Sequence, residues 1–181
     1  MLMWNIDQVQ AAWKLAARLH KGQTYVGPIE GEYTDYLAHI GTVALEITHA
    51  FHQDPSLAID LALPCAILHD TIEDTSATLE DIEAQFGTAI AQGVLALTKD
   101  ESLGSKQAQM ADSLARIKQQ PHAIWAVKMA DRIANLGPPP HYWTREKKVV
   151  YREEAILIHE ALKLGNDYLA TRLMQKIKDK W

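Results

Sequence analysis

Between residues 66 and 75 the chain reads Ala66-Ile67-Leu68-His69-Asp70-Thr71-Ile72-Glu73-Asp74-Thr75. An apolar stretch runs straight into a cluster of ionisable groups, and the apolar part directs that cluster toward the interior. Buried carboxylates are tolerated only where opposite charge meets them. A divalent cation is the simplest partner for His-Asp-x-x-Glu-Asp, because it neutralises carboxylates and accepts a neutral imidazole. Neighbouring residues of a helix point about 100° apart, so His69 and Asp70 share one ion most easily where a helix bends or ends. They supply two ligands, and the rest must come from other segments. His39 lies near the start of a helix with an apolar stripe. Asp131 sits inside the apolar pattern Val127-Lys128-Met129-Ala130-Asp131-Arg132-Ile133-Ala134-Asn135-Leu136. Two His and two Asp with open positions suit Mn²⁺ or Fe²⁺, with Zn²⁺, Ni²⁺ or Mg²⁺ as less selective alternatives.

Glu73 and Asp74 follow the cluster closely enough for one carboxylate to orient or deprotonate a water that the ion activates. Lys128 and Arg132 share a helical face and can offset phosphate charge. Each signal has a plainer explanation when taken alone. A His on an apolar face is more often a hydrogen-bonded core residue, an Asp beside Arg a salt bridge, and Glu73-Asp74 a solvated acidic turn. Their conjunction on separate segments carries the functional reading. His20, His49, His52, His122 and His159 read as amphipathic or surface residues, and His141, after a proline run, carries no specific assignment. Cys65, the single cysteine, falls in an apolar run and reads as core, which leaves no intrachain disulfide.

The elements that must position these groups are helices. Asp7 can cap a first helix with Val9, Trp13, Ala16, Ala17 and Leu19 on its apolar face. Gly22, Gly27, Pro28 and Gly31 make 22–34 a loop. Ile40, Val43, Ala44 and Ile47 mark a second helix, and Asp54-Pro55 starts a third that ends near His69 with a kink at Pro64. Thr78-Leu79-Glu80-Asp81 resembles a capping box. Further helices run from about 87 to 98, to Gln120, from Pro121 to Gly137-Pro138-Pro139-Pro140, and over 144–164 and 166–179. Period-two alternation is missing, so no sheet is expected. The expectation is an all-α chain of eight to nine helices forming a single domain over 1–181, with a core at about 8–160 and a C-terminal helix at 166–179.

Composition narrows the function. Of 181 residues, 48% are hydrophobic and 23% charged, which excludes a disordered chain. A net charge of −5 without a basic run argues against nucleic-acid binding and leaves room for a small anionic substrate. The start, from Met1 to Asp7, lacks a signal-peptide pattern. The apolar run Leu57–Leu68 is broken by Asp60 and too short to span a bilayer. The chain reads as cytoplasmic, with no membrane partner; homo-oligomerisation stays open.

His39…His69-Asp70…Asp131 resembles the signature of HD metal-dependent phosphohydrolases. Leu68-His69-Asp70-Thr71-Ile72-Glu73-Asp74-Thr75, Phe86-Gly87 with Leu97-Thr98-Lys99, and Val127-Lys128-Met129-Ala130-Asp131-Arg132 with Asn135-Leu136 are similar to the hydrolase domain of RelA/SpoT alarmone enzymes and to small alarmone hydrolases. The likeness covers roughly 8–160. It implies an Mn²⁺ enzyme that removes the 3′-pyrophosphate of guanosine tetraphosphate or pentaphosphate. His39, His69, Asp70 and Asp131 would ligate the metal, Glu73 and Asp74 would take part in catalysis, and Lys128, Arg132 and Asn135 would meet the nucleotide; apart from the resemblance, Tyr25, Tyr33 or Tyr36 could stack on a base. The chain departs from the family before His39. The family's Arg-Lys pair is missing, Glu30, Glu32 and Asp35 stand in that loop, and Ile40 replaces the usual Pro. Two other readings are an HD phosphohydrolase for a different nucleotide or phosphoester, and an inactive HD fold used for binding.

Overall fold

The structure, a computed structural model, describes residues 4–180. Met1, Leu2 and Met3, part of the stretch read above for a leader, lie outside the described residues, as does Trp181. In chain order come α1 (Ile6–Leu19), a hairpin of β1 (Thr24–Val26) and β2 (Tyr33–Asp35), α2 (Tyr36–Gln53), α3 (Ile59–Leu68), the one-turn α4 (Thr71–Asp74), α5 (Leu79–Phe86), α6 (Thr88–Leu97), α7 (Lys106–Lys118), α8 (His122–Asn135), α9 (Arg145–Leu162) and α10 (Asp167–Lys180). Apart from the hairpin the fold is all-α, as the periodicity predicts. Among the described residues no helix is long and apolar enough to cross a membrane.

The core is built around α3 and α8. From Ala62 to Leu68 every residue of α3 is buried, and so is every residue of α8 from Ala126 to Ile133. α3 packs against α1, α2, α6 and α8, while α8 also meets α9 and α10. Burying one large aliphatic side chain stabilises by about 1.5–3 kcal/mol. The two helices that carry His69 and Asp131 are therefore the most firmly anchored pieces of the molecule. α2 contributes one face, with His39, Ile40, Val43, Ile47 and Ala50 buried. Gly93 lies where α6 runs close against Ile124 of α8 and Cys65 of α3. A Cβ there would come within 2.6 Å of Ile124 Cδ1 and 2.9 Å of Cys65 Sγ. Cys65 itself is buried and its thiol points to the Ile90 carbonyl.

Four local expectations need correction. The loop at 22–34 contains the antiparallel pair β1–β2, registered Thr24↔Asp35, Tyr25↔Thr34 and Val26↔Tyr33. Strands of three residues are too short to show alternation, though Thr, Tyr and Val suit them. α1 is capped by Asn5, whose side chain accepts from the Gln8 N–H, with Asp7 in the first turn. α3 begins at Ile59 and not at Asp54-Pro55, because Asp54 Oδ1 is taken by the Ser56 N–H and hydroxyl in a tight turn after α2; Pro64 lies inside α3 without ending it. His20 is fully buried and not amphipathic surface. The capping box at Thr78 and Asp81 forms as expected.

Candidate metal centre and active-site cleft

α3 stops at the point the chemistry requires. His69 keeps helical dihedrals, and Asp70 turns to φ −101°, ψ 1° before α4 begins. That dihedral pair lies in the sparsely allowed bridge region where active-site residues are found. The break swings the two side chains together, with His69 Nε2 2.9 Å from Asp70 Oδ2. Thr71 Oγ1 donates to the Leu68 carbonyl left free at the helix end. The His69 Nδ1–H points at the Ala66 carbonyl, 2.8 Å away, which fixes Nε2 as the free ligating nitrogen.

His39, from the first turn of α2, brings its Nε2 to 3.2 Å from His69 Nε2 and 3.7 Å from Asp70 Oδ2. Asp131 Oδ1, from α8, stands 3.6 Å from His39 Nε2 and 3.8 Å from His69 Nε2. Donor atoms of one octahedral ion with bonds near 2.1 Å lie about 3 Å apart when adjacent and about 4.2 Å when opposite. His39 Nε2, His69 Nε2 and Asp70 Oδ2, at 2.9 to 3.7 Å from one another, fit that spacing, and Asp131 Oδ1 stands beside both imidazoles. Two imidazole nitrogens facing each other at 3.2 Å, beside two carboxylates, can share a proton or take a cation between them. The residues present therefore fit the divalent metal that the fold implies, with His39, His69 and Asp70 as the group that could hold it and Asp131 next to the two imidazoles.

The electrostatics agree with that role. Burial, aided by His69, lowers the His39 pKa and favours the neutral imidazole that a metal requires. For His69 burial pulls downward, but Asp70 and Asp131 outweigh it and hold the group up. The same contacts overcome burial at the carboxylates: His69 lowers Asp70, while Lys128 and His69 lower Asp131. Lys128 Nζ reaches Asp131 Oδ2 at 3.0 Å, and Asn135 Nδ2 donates to Oδ1 at 2.6 Å. Lys128 and Asn135, expected at the substrate, thus flank Asp131 from one turn on either side.

Glu73 and Asp74 lie on α4 at the rim. Glu73 is held on both oxygens by one residue: Oε2 accepts from the Lys99 N–H at 2.9 Å and Oε1 from Lys99 Nζ at 2.6 Å. Lys99 is placed by the end of α6, whose carbonyls at Leu95, Ala96 and Thr98 accept from the Arg116 guanidinium of α7. Asp74 has fewer restraints. Among the described residues its carboxylate hydrogen-bonds only with the Tyr36 hydroxyl, at 3.1 Å, and that hydroxyl also donates to Asp70 Oδ2. A hydroxyl has one hydrogen, so both contacts are hydrogen bonds together only when Asp74 carries a proton. Burial and the nearby Asp70 and Glu73 raise the Asp74 pKa, which favours that form.

These groups open onto a cleft of about 390 Å³, whose outer wall carries Lys106, Gln109, Lys147, Arg132 and Glu154. Arg132 is almost wholly buried, stacked 4.1 Å above the Tyr151 ring and tied to Glu154 at 3.4 Å. Its Nε and Nη1 have no hydrogen-bond partner among the described residues. A second cleft of about 520 Å³ shares Tyr36, Asn135 and Tyr151 with the first. Tyr25, Glu32, Pro140, Tyr142 and Trp143 line it. The hairpin turn and the proline loop are joined there by the His141 N–H, which donates to the Gly27 carbonyl at 3.2 Å. Sequence reasoning left out Lys99, Lys106, Lys147 and Tyr151. Only Lys99 had left a trace, as part of Leu97-Thr98-Lys99.

Comparison with known proteins gives the family. Residues 12–162 match the HD domain. The chain belongs to the HD domain family. The match spans all four candidate ligands of this HD protein. Human guanosine-3′,5′-bis(diphosphate) 3′-pyrophosphohydrolase MESH1 is 29% identical over 180 residues, covering 96% of this chain and 94% of that one. A Streptomyces coelicolor GTP pyrophosphokinase is 28% identical over 164 residues, which is 87% of this chain but 18% of that much longer protein. Among solved structures, a metazoan ortholog of SpoT described as hydrolysing ppGpp superposes with a TM-score of 0.81 at 26% identity, covering 97% of both chains. That kinship makes the HD protein described here a metal-dependent phosphohydrolase.

Proposed function

We propose that this HD enzyme is a manganese-dependent 3′-pyrophosphohydrolase of guanosine-3′,5′-bis(diphosphate) and its pentaphosphate counterpart, working in the cytoplasm as one domain over 1–181. The observation that carries the reading is the convergence of the His39, His69 and Asp70 donor atoms, with Asp131 against both imidazoles, beside an acidic pair at the head of a cleft whose wall holds a buried Arg with spare N–H groups. The full-length likeness to human MESH1 and to the SpoT ortholog supports the substrate. The mixed nitrogen and oxygen donors favour Mn²⁺ or Fe²⁺ over Zn²⁺, Ni²⁺ or Mg²⁺.

When bound, a divalent ion would supply Lewis acidity, offsetting phosphoryl charge and lowering the pKa of a water. The rest falls to the chain. Asp74, less restrained than Glu73 and with raised proton affinity, takes the proton of the attacking water in its ionised form and returns one to the departing ribose 3′-oxygen, so that pyrophosphate leaves carrying the water oxygen. Glu73, clamped by Lys99, orients the water. Tyr36 couples Asp74 to Asp70 and offers its ring to the nucleotide. Arg132 receives phosphate oxygens, and Lys128 and Asn135 assist at the substrate edge of Asp131. The nucleobase enters the second cleft and stacks on tyrosine.

One observation favours a second reading, hydrolysis of another nucleotide or phosphoester. The second cleft has Tyr25 and Glu32 where a cation would help an anionic ligand. Glutamate cannot replace a bidentate Arg. Steady-state kinetics with Mn²⁺ on guanosine-3′,5′-bis(diphosphate), beside other 3′- and 5′-phosphorylated nucleotides, decides between the two. Turnover with a high KM is expected. An untouched tetraphosphate together with rapid turnover of another phosphoester would replace the first reading by the second.

A further inference from the structure

α4 is a single turn, too short to hold its own shape, yet it ends in Asp74. What restrains that end comes from far away in sequence. Gln23 Nε2 donates to the Asp74 carbonyl at 2.8 Å. This contact sets the orientation of the amide, so Oε1 faces the other way, toward His20 Nδ1 at 2.6 Å, and His20 must be the donor there. The backbone of Gln23 is bound as well. Its N–H donates to the His20 carbonyl at 3.0 Å, and its carbonyl accepts from the Tyr36 N–H at 3.0 Å. The His20 ring in turn stacks on Tyr36, with centroids 5.0 Å apart and planes at 25°. Gly22, at φ +82°, lets the chain double back between the two residues. One short motif, His20-Lys21-Gly22-Gln23, therefore ties the end of α1 to the start of α2 and the end of α4.

We infer that His20 and Gln23 are positioning residues for hydrolysis: the hydrogen-bond chain from the buried His20 through Gln23 to the Asp74 carbonyl, with the His20 ring behind Tyr36, sets the Asp74 carboxylate and the Tyr36 hydroxyl against the metal ligands. A packing role alone does not explain the imidazole. Nε2 is buried without a hydrogen-bond partner among the described residues. A phenyl ring would stack on Tyr36 and leave nothing unsatisfied. What the imidazole adds is the Nδ1–H that holds Gln23.

The inference rests on the reading of Asp74 as a catalytic group, and the test separates the two. Three variants probe the chain: Gln23→Met keeps length and removes the amide, His20→Phe keeps the ring and removes the donor, and His20→Asn keeps a donor near Nδ1 and removes the ring. Each is purified with Mn²⁺ beside Asp74→Asn, and kcat, KM, metal content and thermal midpoint are measured on guanosine-3′,5′-bis(diphosphate). If the unaltered enzyme leaves that compound intact, bis(p-nitrophenyl) phosphate takes its place. Gln23→Met and His20→Phe should lower kcat per folded, metal-loaded chain by about tenfold or more, the scale of a misplaced catalytic group. KM should stay within about twofold and metal content should not change. His20→Asn should recover part of the loss. A purely structural role would move the thermal midpoint and leave kcat per folded chain alone, with His20→Phe the best tolerated; that pattern overturns the inference. If Gln23→Met does not fold, the His20→Phe and His20→Asn pair decides alone. Unchanged turnover in Asp74→Asn would sink the catalytic reading instead.

Discussion

At the scale of single residues the candidate metal quartet, of which the structure gathers His39, His69 and Asp70 into one group, was legible because the chemistry demands particular types. Two imidazoles and two carboxylates in an apolar setting have few other reasons to meet. The quartet has a direct test: His69→Ala and Asp131→Ala should each lose most of the bound Mn²⁺, read by metal analysis, and full occupancy in both would remove the site. Glu73→Gln and Asp74→Asn should keep the metal and lose on the order of 10²-fold in turnover, as removal of proton-transfer help does; near-normal rates would make the pair a solvated turn. Orientation was harder to read. The spacing of Lys128 and Asn135 around Asp131 placed them on one face, but not which partner each would choose, and the structure turns both to the Asp131 oxygens. The burial of His20 was out of reach because its partner Tyr36 lies on another helix, and the Gln23 contact with Asp74 spans 51 residues. A lone His at a helix end gives no hint of either.

At the scale of elements the 3.6-residue period revealed the long helices, and the starts of α1 and α3 went astray because Asn5 and Asp54 can each serve more than one local hydrogen bond. The hairpin escaped because six strand residues fall among glycines and a proline that signal a loop. The break between α3 and α4 was anticipated for a chemical reason, the need for His69 and Asp70 to share an ion, and not from any helix-breaking residue. The contact of α6 with α3 and α8 makes a sharp prediction at this scale. Gly93→Ala forces a methyl to 2.6 Å from Ile124 Cδ1, and overpacking of this kind destabilises by about 1–3 kcal/mol. A urea midpoint lowered accordingly, with an unchanged slope, is expected; an unchanged midpoint would mean that Ile124 and Cys65 move aside freely.

For the whole molecule, metal, protons and stability are linked. In the metal-free chain Asp70 and Asp131 outweigh burial and push His69 up to about 9 from its ordinary 6.5. A group raised in this way stabilises the fold fully below its unfolded value, and that contribution is lost as the pH rises past the folded value. The ion competes with the same proton. His39, lowered by burial, has none to give at neutral pH. Metal binding at neutral pH should expel roughly one proton, and affinity should climb as the pH rises from about 6.5 toward about 9. Calorimetry in two buffers of different protonation enthalpy would show this as a difference in apparent heat, and identical heats would refute it. Free ion at about a hundred times its dissociation constant should add about 2.7 kcal/mol of stability. The ligands also sit on three separate stretches, with His39 and His69 30 residues apart and Asp131 on a third helix. No unfolded chain gathers them, so the ion holds only the finished fold. It therefore works as a timer: where the barrier to unfolding is crossed after the ion has left, folding runs at its own pace and the loaded chain survives about a hundredfold longer at that ion level. Under metal starvation, the empty copies would be the first that a protease clears.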